Sequence, residues 1–302
     1  MTGTGELEGL YSDIAQAAEL LDVPCSREKV WPILTAYADD LPPQAQIAFR
    51  VATNAAGLDC RFASLPPDID PYAIALSNGL TEETDHPVGT LLSDIQERFP
   101  LDYHGIDFGV VGGFKKTWTF FPLTNLQKVA ELAKVPSMPR SLGENLDFYT
   151  RFGLDDKVSL IGIDYPSKTL NTYFLGSPAE SRQPEAVRSM LSEFGLPEPS
   201  EQMLKLAQQA TGYYTTLSWE SSKIERITFA VVVPDLEALP DRVDVDPKIE
   251  KFARNGPYTY APAERKGIYG VTSSPRGEYY KLQAWYQLTP HMLKMLSPDS
   301  SQ

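Results

Sequence analysis

Cysteines, histidines and long apolar runs are scarce in this chain of 302 residues, and each shortage excludes a class of protein. The two cysteines, Cys25 and Cys60, provide neither a disulfide framework nor the ligand spacing of a zinc site. The three histidines, His86, His104 and His291, have no partner at the spacing of a metal or triad motif, so we expect structural roles for them. No run of about 18 apolar residues is available to span a membrane.

Basic residues are also in short supply. The 27 lysines and arginines face 40 carboxylates, which gives a formal net charge of -13 and a pI near 4.7. Binding to nucleic acid depends on clustered basic residues, so a DNA or RNA partner is not expected. The segment Met1 to Glu6 lacks the basic and apolar layout of a signal peptide, and we expect a cytoplasmic protein that does not associate with membranes.

Several motifs that bind phosphate or metal are absent as well. Terpene synthases bind an allylic diphosphate through an aspartate-rich DDxxD motif, but the aspartate pairs at 39–40 and 155–156 lack the third carboxylate. Neither GxxxxGK[ST] nor GxGxxG occurs, so Gly112 and Gly113 are interpreted as a close approach between strands. The acidic stretches at 68–70 and 241–246 are interpreted as solvated loops.

The chain does contain a repeated order of helix, helix, strand and strand, about five times over. Helices are predicted near residues 7–21, 26–38, 70–80, 87–98, 124–133, 141–152, 183–193, 198–209, 247–254 and 291–296. Strands are predicted near residues 46–52, 58–64, 103–110, 115–121, 157–164, 169–175, 213–219, 223–232, 266–273 and 278–287. The sequence therefore predicts an α+β protein of one domain, residues 1–302, in which ten antiparallel strands close into a barrel surrounded by a ring of α-helices.

Alternation within the predicted strands indicates which face would meet a ligand. Ile227 and Phe229 would pack under helices, whereas Arg226 and Thr228 would face the interior. Similar segments carry a basic residue at regular intervals along the chain; these residues are Arg50, Lys116, Lys168, Arg226 and Lys281. The alternative is an open sheet with a solvated polar face, but aromatic residues such as Trp118 and Trp285 gain little from exposure. A ten-stranded barrel is wide enough to hold an anion with an apolar tail.

Four parts of the sequence form a specific combination. They are Gly112–Trp118 (GGFKKTW) followed by FFP at 120–122, Val135–Pro139 (VPSMP), Thr216–Glu220 (TLSWE) with Lys223–Arg226 (KIER), and Tyr269–Thr272 (YGVT) with Glu278–Leu282 (EYYKL). Together they resemble the soluble aromatic prenyltransferases of the ABBA, or PT-barrel, family, and the likeness extends from the first helix to about Leu288. The fold of that family is a ten-stranded antiparallel barrel ringed by helices, which agrees with the fold predicted from the repeats.

The resemblance implies transfer of a prenyl group, dimethylallyl in preference to geranyl, from its diphosphate to a ring carbon of an aromatic small molecule. Phenazine-type or naphthalene-type acceptors of secondary metabolism are expected. By position, the resemblance implies catalytic aromatic residues at Trp118, Tyr214 and Trp285, diphosphate-binding residues at Arg50, Lys116, Lys168, Asn171, Tyr173, Arg226 and Lys281, and acceptor-binding residues at Leu160, Gly212, Val271 and Gln283.

Two departures from the family pattern concern charge. A family lysine in the third repeat falls on Ser167, next to Lys168, and a shift of one residue would change which of them faces the interior. Asp59 matches a carboxylate that holds Mg²⁺ in metal-dependent members, but Arg50 stands where those members have a small residue. A guanidinium there would replace the charge of the metal, so the resemblance allows both an enzyme without a cofactor and one that needs Mg²⁺ bound to Asp59.

The chemistry of an allylic diphosphate explains why cations and aromatic rings would share a site. Each cation about 4 Å from the departing diphosphate contributes roughly 4 kcal/mol at an effective dielectric constant near 20. An aromatic face stabilises the carbocation by about 2 kcal/mol when it is desolvated. Two alternatives remain: a non-catalytic barrel that carries an amphipathic aromatic ligand, and an interaction scaffold. We expect the protein to be a monomer.

Overall fold

The computed structural model describes residues 3–42, 45–239, 243–260, 265–290 and 292. Within these residues the helices are α1 (Thr4–Glu19), α2 (Arg27–Ala36), α3 (Pro71–Ser77), α4 (Leu91–Gln96), α5 (Val129–Leu132), α6 (Arg140–Glu144), α7 (Leu146–Arg151), α8 (Pro184–Glu193), α9 (Glu201–Gln209) and α10 (Pro247–Asn255). The strands are β1 (Ile47–Ala52), β2 (Asp59–Leu65), β3 (Tyr103–Gly109), β4 (Gly113–Phe120), β5 (Val158–Asp164), β6 (Thr169–Leu175), β7 (Gly212–Ser218), β8 (Arg226–Val233), β9 (Gly267–Ser274) and β10 (Gly277–Gln287). The helix expected at 291–296 lies outside the described residues apart from Met292.

The ten strands form one closed antiparallel barrel, in which each strand pairs with its neighbours in sequence. β10 pairs with β1 to close the barrel, and Phe49 lies opposite Ala284 at this seam. This arrangement confirms the predicted fold. No helix among the described residues combines the length and the apolar character needed to cross a membrane.

The two faces of the strands have different partners. On β8, Ile227, Phe229 and Val231 are buried in the main core, between the barrel and its helices. The intervening residues Thr228 and Ala230 line the interior of the barrel. The apolar face is covered by helices such as α9, which packs on β8, so the interior is left for polar groups and a ligand.

Local sequence signals explain where several helices begin. Asp70, Ser200 and Asp246 accept hydrogen bonds from backbone N–H groups in the first turns of α3, α9 and α10. Pro184 occupies the first turn of α8, where its missing N–H removes no helical hydrogen bond. Ser26 takes the predicted N-cap position of α2, although its side chain makes no capping hydrogen bond.

A β-bulge at Lys115 changes the orientation of side chains on β4. Asp107 lies opposite Lys116 and Phe108 lies opposite Phe114, so Lys115 has no partner on β3. An extra residue of this kind re-aims a side chain. As a result, two consecutive lysines reach carboxylates of the barrel interior: Lys115 binds Asp59 on β2, and Lys116 binds Asp164 on β5.

Candidate active site

A cavity of about 310 Å³ occupies the interior of the barrel. Arg50, Arg61 and Lys281 give one part of its wall positive charge. Another part is apolar and is formed by Leu160, Leu175, Val232 and Ile268. The barrel therefore contains a space of ligand size, with cations and apolar side chains in the same wall.

Two arginines from adjacent strands share one buried aspartate. Arg61 on β2 donates to Asp107 on β3 at 2.8 and 3.2 Å, and Arg50 on β1 lies 3.1 Å from the same carboxylate. Asp107 is only 1% exposed. Burial alone would raise its pKa, but Arg61 and Arg50 hold the pKa of this carboxyl well below its usual range. Asp107 is therefore ionised, and it fixes both guanidinium groups at the cavity wall.

Lys281 on β10 has a tyrosine as its hydrogen-bond partner. Its ammonium group donates to the hydroxyl of Tyr214 on β7 and lies 4.9 Å from the centroid of that ring. Burial lowers the pKa of Lys281 to about 7, and the basic side chains on β1, β4 and β8 act in the same direction. Tyr279 acts in the opposite direction, and an anionic ligand would further stabilise the charged form of this lysine.

Three aromatic side chains adjoin the charged part of the wall. Tyr173 and Tyr214 stack with their ring centroids 4.2 Å apart, and Trp118 meets Tyr173 edge-on at 5.2 Å. The Arg61 guanidinium lies over the Trp118 ring, 3.9 Å from its centroid. Tyr173 and Tyr214 line the cavity together with Phe174, whereas Trp118 lies behind the Arg61 guanidinium.

A row of small residues crosses three strands of the cavity wall. Gly212 on β7 lies opposite Ala230 on β8, and Ala230 lies opposite Gly270 on β9. All three line the cavity, and Lys281 follows Gly270 in the same row on β10. No side chain in this Gly-Ala-Gly strip is larger than a methyl group, and the strip extends directly to the lysine.

Most residues that the resemblance implicated come together in the barrel. Arg50, Leu160, Tyr173, Gly212, Tyr214, Lys281 and Gln283 all line the cavity. Lys116 and Asn171 are buried in the interior, where Asn171 accepts a hydrogen bond from Thr216 at 2.9 Å. Arg226 lies in a second cavity at the rim of the barrel, together with Thr169 and Tyr279.

The interior position predicted for Lys168 is wrong, although the observed β6 has the predicted bounds, 169–175. β6 begins at Thr169, and Lys168 is exposed in the preceding turn with a φ of 49°. Ser167 is exposed in the same turn. The interior position was predicted from the alternation of side chains along a strand. A hairpin turn interrupts that alternation, so the prediction applies to neither residue.

Two further positions differ from the prediction. Val271 lies opposite Phe229 and is buried in the outer core, because its neighbours Gly270 and Thr272 take the interior face of β9. Trp285 packs in a small cluster that supports the apolar wall rather than bordering the tyrosine pair. Trp285 stays on the interior face, since it pairs with Ala48 two positions from the Arg50–Gln283 pair, and the irregular register between β1 and β10 lies beyond it.

Sequence reasoning assigned no role to Arg61, Asp107 or Lys115. Arg61 lies two residues after Asp59 on a strand, so alternation alone was a sufficient signal to place it in the interior. Asp107 follows from the same rule once the ends of β3 are known. Lys115 enters the interior through the bulge, which no alternation pattern reveals.

The carboxylate of Asp59 does not suit a bound Mg²⁺. Arg50 donates to its Oδ2 at 2.7 Å, and Lys115 donates to its Oδ1. Burial would raise the pKa of Asp59, but these two cations lower it, so the carboxylate is already neutralised. A hard dication needs several oxygen ligands, and the described part of the chain contains no group of three histidine, cysteine or carboxylate side chains that would hold a metal.

Comparison with known proteins agrees with this geometry. The model of the family described as aromatic prenyltransferase Orf2 matches residues 5–295. The 5,10-dihydrophenazine-1-carboxylate 9-dimethylallyltransferase of Streptomyces anulatus is 47% identical over 99% of this chain and 100% of its own length. Flaviolin linalyltransferase of Streptomyces virginiae is 49% identical over 95% of this chain and 94% of its own length. The furaquinocin biosynthesis prenyltransferase of Streptomyces sp. (strain KO-3988) is 47% identical over 93% of this chain and 91% of its own length. The resemblance found in the sequence is confirmed, and the chain belongs to the Orf2 family of aromatic prenyltransferases.

Proposed function

We propose that this chain transfers a dimethylallyl group from dimethylallyl diphosphate to a ring carbon of a phenazine-type or naphthalene-type acceptor. The observation that carries the proposal is one cavity wall in which Arg50, Arg61 and Lys281 adjoin a strip of small residues. The cations suit the diphosphate of the donor, and the strip suits a planar ring. The names of two relatives, which specify a dihydrophenazine carboxylate and flaviolin, support acceptors of this kind.

Cleavage of the donor requires positive charge that is in place beforehand. The bond between the allylic carbon and the diphosphate oxygen breaks, and both electrons leave with the diphosphate. Arg61, Arg50 and Lys281 stabilise the developing charge, each by roughly 4 kcal/mol at about 4 Å and an effective dielectric constant near 20. Because Asp107 already fixes the two guanidinium groups, little reorganisation is needed at the moment of cleavage.

The stacked tyrosines shield the allylic cation that this cleavage produces. Each desolvated aromatic face contributes about 2 kcal/mol toward a nearby cation, and Tyr173 and Tyr214 present such faces beside Lys281. The electron-rich acceptor ring then attacks the cation and forms the new carbon–carbon bond. The proton lost from the attacked carbon passes to water or to the released diphosphate, and the aromatic ring is restored.

The Gly212–Ala230–Gly270 strip is proposed to hold the acceptor ring. Adjacent strands lie about 4.8 Å apart, so three positions span about 10 Å of wall without large side chains. A larger side chain at position 230 would stand in the middle of this surface. We expect Ala230→Phe to raise KM for three-ring acceptors at least about tenfold. Steady-state kinetics with a phenazine and with a one-ring dihydroxybenzoate measure the effect.

The control for Ala230→Phe is internal to the assay. The donor KM should change less than the KM for three-ring acceptors, because Ala230 lies two strands from Lys281, on the far side of Gly270. An equal loss for one-ring and three-ring acceptors would contradict the placement of the ring on this strip.

We propose that the reaction needs no metal ion, since Arg50 and Lys115 already neutralise Asp59. Turnover in excess EDTA is expected to stay within about twofold of turnover in Mg²⁺. The matched variant is Arg50→Ser, which frees one oxygen of Asp59 and removes a positive charge. In that variant Mg²⁺ is expected to restore part of the lost activity, whereas Arg50→Ser without any response to Mg²⁺ would show that Asp59 cannot take a dication.

The proposed function itself is tested with purified protein, dimethylallyl diphosphate and a small panel of phenazines, naphthalenes and hydroxybenzoates. Release of pyrophosphate together with a product heavier by one dimethylallyl group supports it. Quenching of tryptophan fluorescence by the aromatic compounds, with no product in mass spectrometry, would instead indicate a carrier of aromatic ligands.

A further inference from the structure

A glycine lies directly across the sheet from Trp118. Gly162 on β5 pairs with Trp118 on β4, and the indole leans over the glycine. A Cβ atom placed on Gly162 would lie 2.4, 2.7 and 2.8 Å from three carbons of the six-membered ring of Trp118. Such contacts are far shorter than the van der Waals separation of carbon atoms, so this position of the indole requires glycine at 162.

The indole that occupies this space contacts both halves of the donor site. The Arg61 guanidinium lies 3.9 Å from the ring centroid, and the edge of the indole meets Tyr173 at 5.2 Å. Lys116 lies 5.7 Å from the same centroid. Trp118 is fully buried, so displacement of its ring must move at least one of these neighbours.

We propose that Gly162 is a positioning residue for prenyl transfer. It leaves room for the Trp118 indole on the inner face of β5, and the indole in turn sets where the Arg61 guanidinium meets the diphosphate. Asp107 holds Arg61 from one side and Trp118 supports it from the other, so both contacts are needed to define the direction of the guanidinium. This inference rests on the proposed function, because it assigns Arg61 to the diphosphate.

The first variant is Gly162→Ala, which inserts a methyl group where the indole lies. We expect kcat/KM for the donor to fall about 10- to 100-fold, since a displacement of about 1 Å in a positioned group has effects of this size. The acceptor KM should stay within about twofold, because the Gly-Ala-Gly strip lies on other strands. The affinity for inorganic pyrophosphate, measured by calorimetry, should decrease in parallel with the kcat/KM for the donor.

The second variant separates this role from a structural one. Trp118→Phe shortens the ring and removes carbons that fill the space over Gly162. When Gly162→Ala is added to Trp118→Phe, it should be neutral for kcat/KM and should leave or raise the Tm, since alanine suits a strand better than glycine. In the wild-type background, which keeps the indole, the same substitution should lower the Tm. The double variant is therefore expected to be as active as Trp118→Phe alone.

Gly105 provides a matched control glycine. It lies on the other side of Trp118, on β3, but a Cβ atom there would meet the backbone oxygen of Phe62 at 2.7 Å. Trp118→Phe should therefore not rescue Gly105→Ala. Equal losses from Gly162→Ala in the wild-type and Trp118→Phe backgrounds, or a double variant that fails to fold, would overturn the inference. If wild-type protein neither binds pyrophosphate nor forms product, the proposed function fails as well, and this separate result distinguishes the two failures.

Discussion

Lys281→Ala is expected to lower kcat/KM for the prenyl donor by about 10²- to 10³-fold, the effect typical of removing one preorganised group that stabilises developing charge. Lys281 is the residue of the cavity wall that joins the cations to the acceptor strip, since it follows Gly270 in the same row. Its loss would also leave the Tyr214 hydroxyl without its donor. Steady-state kinetics with varied dimethylallyl diphosphate measure the change.

The pH dependence of donor binding identifies the cause of this loss. The basic groups that face Lys281 are Arg50, Lys116 and Arg226, and the hydroxyl of Tyr214 accepts its hydrogen bond. Because its pKa is lowered to about 7, Lys281 is protonated below that pH and neutral above it. Only the protonated form pairs with an anion, so the affinity for the donor should decrease as the pH rises through about 7. In Lys281→Ala this decrease should disappear.

Lys168→Ala is the matched control for Lys281→Ala. Lys168 is the same type of residue, but it is exposed in the turn before β6. Its removal should change kcat/KM by less than about twofold, as is usual for an exposed side chain. A variant Lys281→Ala that keeps near-normal rates, or that keeps the wild-type pH profile, would contradict the assignment of Lys281 to the diphosphate.

Asp107→Asn is expected to reduce the free energy of unfolding by about 3 to 5 kcal/mol, the usual effect of removing one partner from a buried ion pair. The asparagine would leave Arg61 and Arg50 side by side without their shared counterion. Mutual repulsion would then act in a region of low dielectric constant. Urea denaturation of wild type and variant measures the difference.

Acid should reveal the same interaction in the wild-type protein. The pKa of Asp107 is held below its ordinary value of 3.8 when the chain is folded, so the unfolded chain binds the proton more readily. The stabilisation is therefore complete above that value and is lost as the pH falls through the folded pKa. The unfolding free energy of Asp107→Asn should decline less steeply on acidification than that of wild type.

The control for Asp107→Asn is Asp164→Asn. Asp164 forms an ion pair with Lys116 at 3.1 Å and accepts a hydrogen bond from the Ser167 N–H at 2.9 Å. Its side chain is 14% exposed, whereas that of Asp107 is 1% exposed. We expect a smaller loss of stability there, because solvent can screen the lysine that remains. Equal losses from both variants, or a stable Asp107→Asn protein, would show that Asp107 does not hold the arginines together.

The fold was predictable because the alternation of apolar and polar residues within each strand indicates which face is buried under helices. On β8 the outward residues Ile227, Phe229 and Val231 are all apolar, while Thr228 and Ala230 between them are polar or small. A pattern with a period of two fixes which face is covered by helices. When ten such strands pair in order, the first and last strands would be exposed edges, and their pairing closes the sheet into a barrel.

Parts of the site were not predictable because they lie where the two-residue alternation of side chains is interrupted. Side chains alternate along a regular strand, so only one of Lys115 and Lys116 would be expected to reach the interior. The bulge allows Lys115 to do so as well as Lys116. The turn before β6 places Lys168 in solvent. The bulge depends on hydrogen bonding between strands, which one strand's sequence does not specify, and the exposure of Lys168 depends on the turn that joins β5 to β6. Val271 is a different case, since alternation from Gly270 would have placed it correctly.

The seam between β1 and β10 also determines when the enzyme becomes able to react during its synthesis. A ribosome adds roughly 5 to 20 residues per second, so the segment with Arg50 and Arg61 emerges well before the segment with Lys281. The strand that closes the barrel is the same strand that delivers the lysine. A nascent chain that lacks β10 therefore has neither a closed interior nor a complete set of cations. We therefore expect such a chain to be inactive, with prenyl transfer possible only after the last strand has paired with the first.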